Sequence, residues 1–154
     1  MAKTDLLKVN NFLIQFKDTK QLELMVTNSP LPGFSINPLT LSRPVVDDKR
    51  PGGQLTYTDL SLTVLCDEDL NAFKEIYSYL ILAANPNTGD LEINKTVFDS
   101  TLFILTNKNN IQHKVYFYNC FFTRVGDLVF NSNATDADHI TFDIDLSYSF
   151  YNFI

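Results

Sequence analysis

Apolar and polar residues alternate along two long stretches of the chain. In residues 139–153 the side chains expected to face the core are Ile140, Phe142, Ile144, Leu146, Tyr148 and Phe150. Those expected to face outward are Thr141, Asp143, Asp145, Ser147 and Ser149. Residues 55–66 repeat the pattern, with Leu60, Leu62, Val64 and Cys66 alternating against Ser61 and Thr63. A period of two predicts a strand with one buried face in each stretch.

Two pairs of shorter patterns predict β-hairpins. Residues 12–17 and 21–27 form the first pair, and residues 100–107 and 112–125 form the second around Lys108, Asn109 and Asn110. The last of these strands is apolar on both faces. One face is expected to carry Val115, Phe117 and Phe121, and the other Tyr116, Tyr118, Cys120 and Phe122. Such a strand must be covered on both sides, by its own core or by a partner.

Helical spacing is found in residues 67–85. An apolar stripe repeats there every three or four positions, formed by Leu70, Phe73, Ile76, Tyr77 and Leu80. Three acidic residues, 67–69, are expected to occupy the first turn and complement the helix dipole, and Asn85-Pro86 ends the pattern.

Residues 30–54 contain five of the six prolines and three of the five glycines. Because proline removes a ladder donor, central-strand structure is not expected here. The segment is nevertheless rich in apolar residues, namely Phe34, Ile36, Leu39, Leu41, Val45 and Val46. We interpret it as a stiff, extended arm, which either packs back over its own domain or docks on a neighbouring subunit.

The order of elements predicts a mainly β (α+β) fold in a single domain, 1–154. We expect an antiparallel β-sandwich or partial barrel with one packed α-helix and the Pro/Gly-rich arm between strands 2 and 3. The chain has 154 residues, 45% of them hydrophobic, including 13 Phe and 7 Tyr. That is enough to bury a core without disulfides or metals.

Charge and composition exclude several classes of function. The net charge is −6 without a basic cluster, which disfavours stable nucleic-acid binding. No apolar run is long enough for a membrane span, so stable membrane association is not expected. The first residues lack the apolar centre of a secretory signal, which predicts synthesis in a cytoplasm.

Residues typical of catalysis or metal binding do not cluster. His113 and His139 have no second ligand at metal spacing, and the acidic residues 67–69 lack the pattern of a calcium loop. Cys66 and Cys120 are predicted to be free buried thiols. We therefore expect a protein that is not an enzyme, with no catalytic residues, cofactor or metal.

Several segments resemble the tail-tube family of contractile-tailed bacteriophages and related injection machines. They are "FLIQF", the stretch "TNSPLPGFSINPLTLSRPVVDDKRPGGQLTYTDLSLTVLCDEDLNAFKEIYSYL", and the closing "ITFDIDLSYSFYNF". The order "LPG", Pro-rich arm, "PGG", strand, acidic cluster and helix carries most of the resemblance, which covers nearly the whole chain.

The resemblance implies a structural virion protein assembled in the host cytoplasm. Such proteins form hexameric rings that stack into a hollow tube within a contractile sheath, and DNA passes down the tube. The implied partners are further copies of the chain, the sheath protein, and baseplate and neck proteins. A tail terminator, a connector or a baseplate tube-initiator ring of the same fold remains an alternative. A β-sandwich ligand-binding module using Tyr57, Tyr151 and Asn152 is a third possibility, although it leaves the arm unexplained.

Three groups of residues are candidates for assembly within this family. The arm would contact a neighbouring subunit or ring through Arg43, Val45, Val46, Asp47, Asp48, Lys49 and Arg50. An intersubunit β-wall would include Tyr116, Tyr118 and Phe122, and the helix would pack on the outside of the sheet. Asp143 and Asp145 are candidates for an acidic lumen that repels DNA phosphates.

Overall fold

Antiparallel strands make up most of the computed structural model, which describes residues 10–17, 26–133 and 139–154. The strands found there are β1 (Phe12–Phe16), β2 (Val26–Asn28), β3 (Phe34–Leu41), β4 (Asp48–Tyr57), β5 (Leu60–Leu65), β6 (Phe98–Leu105), β7 (Ile111–Val125), β8 (Thr141–Ser147) and β9 (Phe150–Phe153). One α-helix, α1 (Asn71–Ala83), and a 3-10 helix, Ile93–Thr96, lie between β5 and β6. The predicted mainly β fold with one packed helix is confirmed.

Seven strands form one sheet that is nearly closed into a barrel-like shape. Their order is β1-β6-β7-β8-β5-β2, and β9 pairs with the first part of β7. The hairpin predicted around residues 108–110 is confirmed as β6 and β7. The other predicted hairpin is not seen among the described residues, since β1 pairs with β6 and β2 with β5. Residues 18–25 of that prediction lie outside the described ranges.

The core lies on the concave side of this sheet. Its fully buried side chains come from alternate positions of β1, β5, β6, β7 and β8, as the periodicity requires. The helix α1 adds Ala72 and Ile76 to the core, and its Phe73 ring meets Phe142 edge-on at 5.4 Å between centroids. The helix therefore packs against the buried face of the sheet.

The helix begins later than the acidic residues suggested. Leu70 has a left-handed backbone, with φ of 57°, and α1 starts at Asn71. An Asp67 carboxylate oxygen accepts a hydrogen bond from the Asn71 N–H at 2.8 Å. The prediction of an acidic first turn is therefore wrong, because residues 67–69 precede the helix. Tyr77, which was placed on the apolar stripe, is exposed.

A β-bulge at Asn119 changes which face of β7 is buried. Phe117 pairs with Ser100, whereas Cys120 pairs with Phe98, so β7 has one extra residue between these two pairs. Asn119 has a φ of 54°, in the left-handed region. Its N–H donates to an Asp99 carboxylate oxygen at 3.0 Å, because it has no partner in the ladder.

The bulge corrects the faces predicted for this strand. Before it, Val115 and Phe117 are buried, and after it Cys120 and Phe122 are buried. Phe122 was expected to share a face with Tyr116 and Tyr118, and it lies in the core instead. Strict alternation fails here since the extra residue turns every later side chain to the opposite face.

A second break lies opposite the bulge. The predicted final strand is divided into β8 and β9 at Tyr148 and Ser149, and the Ser149 N–H donates to the Tyr118 carbonyl at 2.9 Å. Beyond the break Tyr151 is buried and Phe150 is largely exposed, which reverses the predicted orientation of Phe150. The central strand β7 thus pairs first with β9 and then with β8.

The segment predicted to be an extended arm without central-strand structure is a two-stranded ribbon. β3 and β4 pair with each other from Phe34–Tyr57 to Leu41–Asp48, and the predicted strand 55–66 is divided between β4 and β5. Both strands of a ribbon are edge strands, where proline is tolerated, and Pro38 lies opposite Pro51. The register shifts between these prolines and the Ile36–Leu55 pair.

Substitutions at Asn119 test the bulge. We expect Asn119→Gly to stay within about 1 kcal/mol of the wild-type free energy of unfolding, since glycine adopts positive φ readily. Asn119→Val is expected to lose about 1–3 kcal/mol, because a β-branched residue is strained in this region. Urea unfolding of both variants measures the difference. Equal stability of the two variants would contradict the assigned geometry.

Candidate assembly surfaces

The ribbon of β3 and β4, here called the arm, carries apolar side chains in solvent. Every residue of β3 is exposed. The exposed apolar residues of the arm are Phe34, Ile36, Leu39, Leu41, Val45, Val46 and Leu55. An isolated two-stranded ribbon is marginally stable in water. Contact with a surface that covers its apolar side chains would therefore stabilise the arm.

The arm is fixed to the barrel at its base. The Tyr151 hydroxyl donates to the Pro32 carbonyl at 2.8 Å, and the Thr58 N–H donates to the Gly33 carbonyl at 3.1 Å. The Tyr57 and Tyr151 rings meet edge-on with centroids 5.1 Å apart, and Phe34 contacts both. Only the base is held, so the rest of the arm extends away from the core.

Two adjacent valines lie next to a run of charged residues at the tip of the arm. Val45 is 92% exposed and Val46 is 72% exposed. Asp48 forms ion pairs with Arg43 at 3.3 Å and with Arg50 at 3.5 Å. The structure thus places the predicted contact residues, 43 to 50, together around one exposed turn and the first residues of β4.

Aromatic side chains occupy the outer face of β7 and β9. Tyr118 stacks on Phe150 with centroids 4.5 Å apart, and Tyr116 meets Tyr118 at 4.7 Å. The Tyr116 hydroxyl donates to Asp99 at 2.9 Å, and this hydrogen bond raises the pKa of Tyr116. Two of the three predicted wall residues therefore lie together on the surface. Phe122 does not join them, because its side chain is buried.

A polar ladder covers the outer face of β5 and β8. The Thr63 hydroxyl donates to Asp143 at 3.0 Å, and the Ser61 hydroxyl donates to Asp145 at 2.7 Å. Arg124 donates to the second oxygen of Asp145 at 2.9 Å. The two predicted acidic candidates thus lie side by side. The hydroxyl partners were already assigned to an outer face, but only the register shows that they pair with the carboxylates.

The acidic face extends beyond these two aspartates. The Ser147 hydroxyl donates to Asp59 at 2.9 Å, which adds a third carboxylate at the end of the row. Sequence patterns did not single out Asp59, because it lies in the break between β4 and β5. Among the described residues of this row, one cation, Arg124, accompanies three carboxylates, so the row is net negative.

A pocket that the sequence patterns did not suggest lies beside the end of α1. Its volume is about 300 Å³, and its walls include Tyr79, Leu80, Ala83, Ile93, Val97 and Phe121. Ile93 begins the 3-10 helix, in a stretch that reads as a polar loop. The Thr96 hydroxyl at the wall donates to the Ile93 carbonyl at 2.7 Å, so the pocket offers mainly apolar surface.

Groups that could perform catalysis are scattered over the described ranges. No cluster of three or more His, Cys, Asp or Glu suitable for a metal is found there. His113 and His139 are exposed. The two aspartates that precede His139, within residues 136–138, lie outside the described part. Cys120 lies 3.2 Å from the Ser100 hydroxyl, and burial raises the pKa of this thiol to about 11. No described helix is long and apolar enough to cross a membrane.

Comparison with solved structures shows a shared fold. A chain of the anti-feeding prophage tube-terminating cap has a TM-score of 0.75 at 13% identity, covering 100% of this chain and 94% of its own. A chain of the anti-feeding prophage baseplate has a TM-score of 0.73 at 9% identity, and the match covers 99% of this chain and 97% of that one. A chain of the sheath–tube complex of the extracellular contractile injection system PVC has a TM-score of 0.70 at 15% identity. The match covers 97% of this chain and 91% of that one. No family model and no curated protein sequence matches.

The Asp145 pairing predicts a pH-dependent contribution to stability. Hydrogen bonds from Arg124 and then Ser61 lower the pKa of Asp145 below 3.8. A lowered folded-state pKa stabilises the protein above the unfolded-state pKa, and this stabilisation fades as pH falls through the folded-state value. We expect Asp145→Asn to be less stable than wild type at pH 7. The difference should shrink below about pH 4.

Urea unfolding at several pH values between about 7 and 2.5 measures this difference. Asp47→Asn, which removes a carboxylate from the exposed arm tip, is the control for net charge. It should track wild type across the range. A constant gap between Asp145→Asn and wild type would contradict the assigned role of the charge.

Proposed function

We propose that this chain is a structural, non-enzymatic subunit of the inner tube of a contractile phage tail. Copies join into hexameric rings, and the rings stack into the conduit through which DNA is ejected. The observation that carries the proposal is the arm, a ribbon fixed only at its base with apolar side chains in solvent. The fold shared with chains of contractile injection systems supports the same reading.

The reach of the arm fits contact with another subunit. Eight residues of β3 at 3.2–3.4 Å each extend roughly 25 Å, which is about the diameter of a small domain. Covering a valine or leucine side chain fully contributes about 1.5–3 kcal/mol. The tip charges then select among possible registers, since charge pairs favour specificity and orientation over raw affinity.

Ring closure explains the exposed sheet surfaces. β9 pairs with β7 on one side among the described residues, and the aromatic row Tyr116, Tyr118 and Phe150 lies beside it. Unpaired edges of this kind invite further strands, and closing them into a ring removes the hazard. We assign this region to the wall between subunits. A heterologous contact forms a ring when its rotation closes.

The acidic face is suited to a lumen. Asp59, Asp143 and Asp145 hold their carboxylates on one side of β5 and β8 through short hydroxyl hydrogen bonds. A surface of this sign repels the phosphates of passing DNA and prevents the strong electrostatic binding that basic surfaces produce. We propose that this face lines the channel, with DNA as transient cargo.

The partners follow from position in a tail. A main tube subunit contacts its own copies, the sheath protein around it, and baseplate and neck proteins at the two ends. Assembly in the host cytoplasm would precede release in the virion. The second candidate is a terminator, connector or initiator ring, because the chain shares its fold with a tube-terminating cap over its whole length. The ligand-binding module is less well supported, since Tyr57 and Tyr151 are engaged at the base of the arm.

Electron microscopy of the purified chain tests the proposal. We expect six-fold rings that stack into hollow tubes in negative stain, together with a large sedimenting species in solution. Isolated six-fold rings that never stack at high protein concentration would favour the terminator or connector instead. A chain that stays monomeric alone and with its baseplate partner would contradict self-assembly.

Substitution of the arm tip tests how rings join. Val45→Asp combined with Val46→Asp places two charges where apolar contact is expected, and burying an unpaired charge is strongly unfavourable. Stacking should be lost while the free energy of unfolding stays within about 0.5 kcal/mol of wild type, because both side chains are exposed. Tube length in micrographs and urea unfolding provide the two measurements.

Val129→Asp combined with Phe130→Asp is the matched control for that experiment, because it also adds two charges at adjacent exposed positions. Val129 is about as exposed as Val46 but lies outside the arm. Tubes of normal length from the arm-tip variant would rule out the arm as the stacking contact. Equal loss of tubes in both variants would point to a general effect of added charge.

A further inference from the structure

We propose that the arm tip of one copy inserts Val45 and Val46 into the pocket beside α1 of a second copy. This inference rests on the proposed function, because it assumes that copies of the chain associate through the arm. It specifies the receiving surface, which the arm by itself does not identify. The pocket is the one described above, between the end of α1, the 3-10 helix and Phe121.

The two surfaces match in size and chemistry. The tip presents two adjacent valine side chains, of which Val45 is almost completely in solvent and Val46 is mostly in solvent. The pocket offers about 300 Å³ bounded by apolar side chains, a volume that accommodates two isopropyl groups. At its rim Ile93 is 61% exposed, and Val97 and Phe121 are each 41% exposed. Insertion would therefore remove apolar surface from water on both partners.

The positions of the two surfaces favour contact between copies. The base of the arm is packed against Tyr151 of β9, and the Tyr151 ring lies against Phe117 on the first part of β7. The pocket lies beside Phe121, beyond the Asn119 bulge. The arm leads away from its own base and its tip is exposed, so it does not fill its own pocket. Because the tip and the pocket are formed by different residues, docking one into the other is a head-to-tail, heterologous contact.

The surrounding charges have opposite sign. The tip carries three cations, Arg43, Lys49 and Arg50, against two carboxylates, Asp47 and Asp48. Ile93 is flanked in the chain by two carboxylates, Asp90 and Glu92, against one cation, Lys95. Glu92 and Lys95 form an ion pair at 3.0 Å, so Asp90 carries the excess negative charge of this stretch. This arrangement favours the docked orientation over contact between two tips.

Cysteine cross-linking tests the contact directly. We place Val45→Cys and Ile93→Cys in a Cys66→Ser background, where the remaining Cys120 is buried, and oxidise with diamide. A disulfide needs Cα atoms about 4.4–6.8 Å apart, so it forms only if the tip reaches the pocket. Each chain has one tip and one pocket, so we expect a ladder of trimers and larger species on a non-reducing gel.

The single-cysteine variants are the controls, because each can yield dimers at most. Val45→Cys with Val129→Cys places the second thiol on an exposed valine outside the pocket. We expect no ladder from this pair. A ladder of equal strength would overturn the assignment, since it would show indiscriminate contact by the tip. Tubes formed by chains that carry Val45→Cys and Ile93→Cys, without any cross-linking, would overturn it as well.

A charge at the rim gives an independent measurement. Ile93 is 61% exposed and lines the pocket, whereas Leu91 is 69% exposed and is not among its lining residues. Ile93→Asp is expected to lower the sedimenting fraction more than about tenfold relative to Leu91→Asp, because it places an unpaired charge where Val45 docks. Equal fractions would contradict the inference, and the cross-linking pair decides if Ile93→Asp fails to fold.

The outcomes separate this inference from the proposed function. If wild-type tubes form and are lost on Val45→Asp/Val46→Asp, but not on Ile93→Asp, the tube function stands and the pocket is not the receiving surface. If the wild-type chain forms no rings or tubes under any condition, both proposals fail. If both the tip and the rim variants stop assembly and the cross-link forms, both are supported.

Discussion

The bulge at Asn119 is the constraint on which the rest of the structure depends. β7 is the one described strand that pairs with β6, β8 and β9. An extra residue in β7 therefore changes which side chains face the core along three strand pairings. The Asp99 carboxylate accepts the unpaired N–H of Asn119, and Ser149 pairs with the carbonyl of Tyr118. These hydrogen bonds satisfy groups that would otherwise be left without partners at the bend. They allow one strand to belong to two differently oriented parts of the sheet.

The two halves of β7 support two different ends of the molecule. Before the bulge, Phe117 packs with Tyr148 and Tyr151, and these rings hold the base of the arm. After it, Phe122 packs with Phe98 and Tyr79, under the end of α1. The first cluster anchors a projecting element, and the second forms the floor of an apolar pocket. A strand without the bulge would bury the wrong side chains at one of these ends.

Sequence patterns predicted what depends on local periodicity and failed where a single backbone feature intervenes. The inward set of β8 and the hairpin at 108–110 follow from alternation and turn residues. The burial of Phe122 does not follow from alternation, because the sequence pattern around Asn119 does not indicate an extra residue in the ladder. Prolines argued only against central strands in 30–54, and the ribbon found there consists of two edge strands, where proline is tolerated. At Gly52 a side chain would collide with the Asn37 carbonyl, which explains the glycine at the register shift. The pocket depends on how α1, Ile93 and Phe121 converge, and no periodicity encodes that.

Folding and assembly are therefore carried by largely different residues. The barrel completes its own core, and the arm beyond its aromatic base contributes little to that core. On the proposed docking, substitutions at the exposed tip would change association without removing buried contacts within the chain. On the proposed function, the tip and the pocket also distinguish the positions that a subunit can occupy in a tail. A subunit inside a stacked tube must both present a tip and receive one, whereas a subunit that ends the tube uses only one of the two surfaces. This chain has both an exposed tip and an open pocket, which is the combination that the proposed docking requires of a repeating unit.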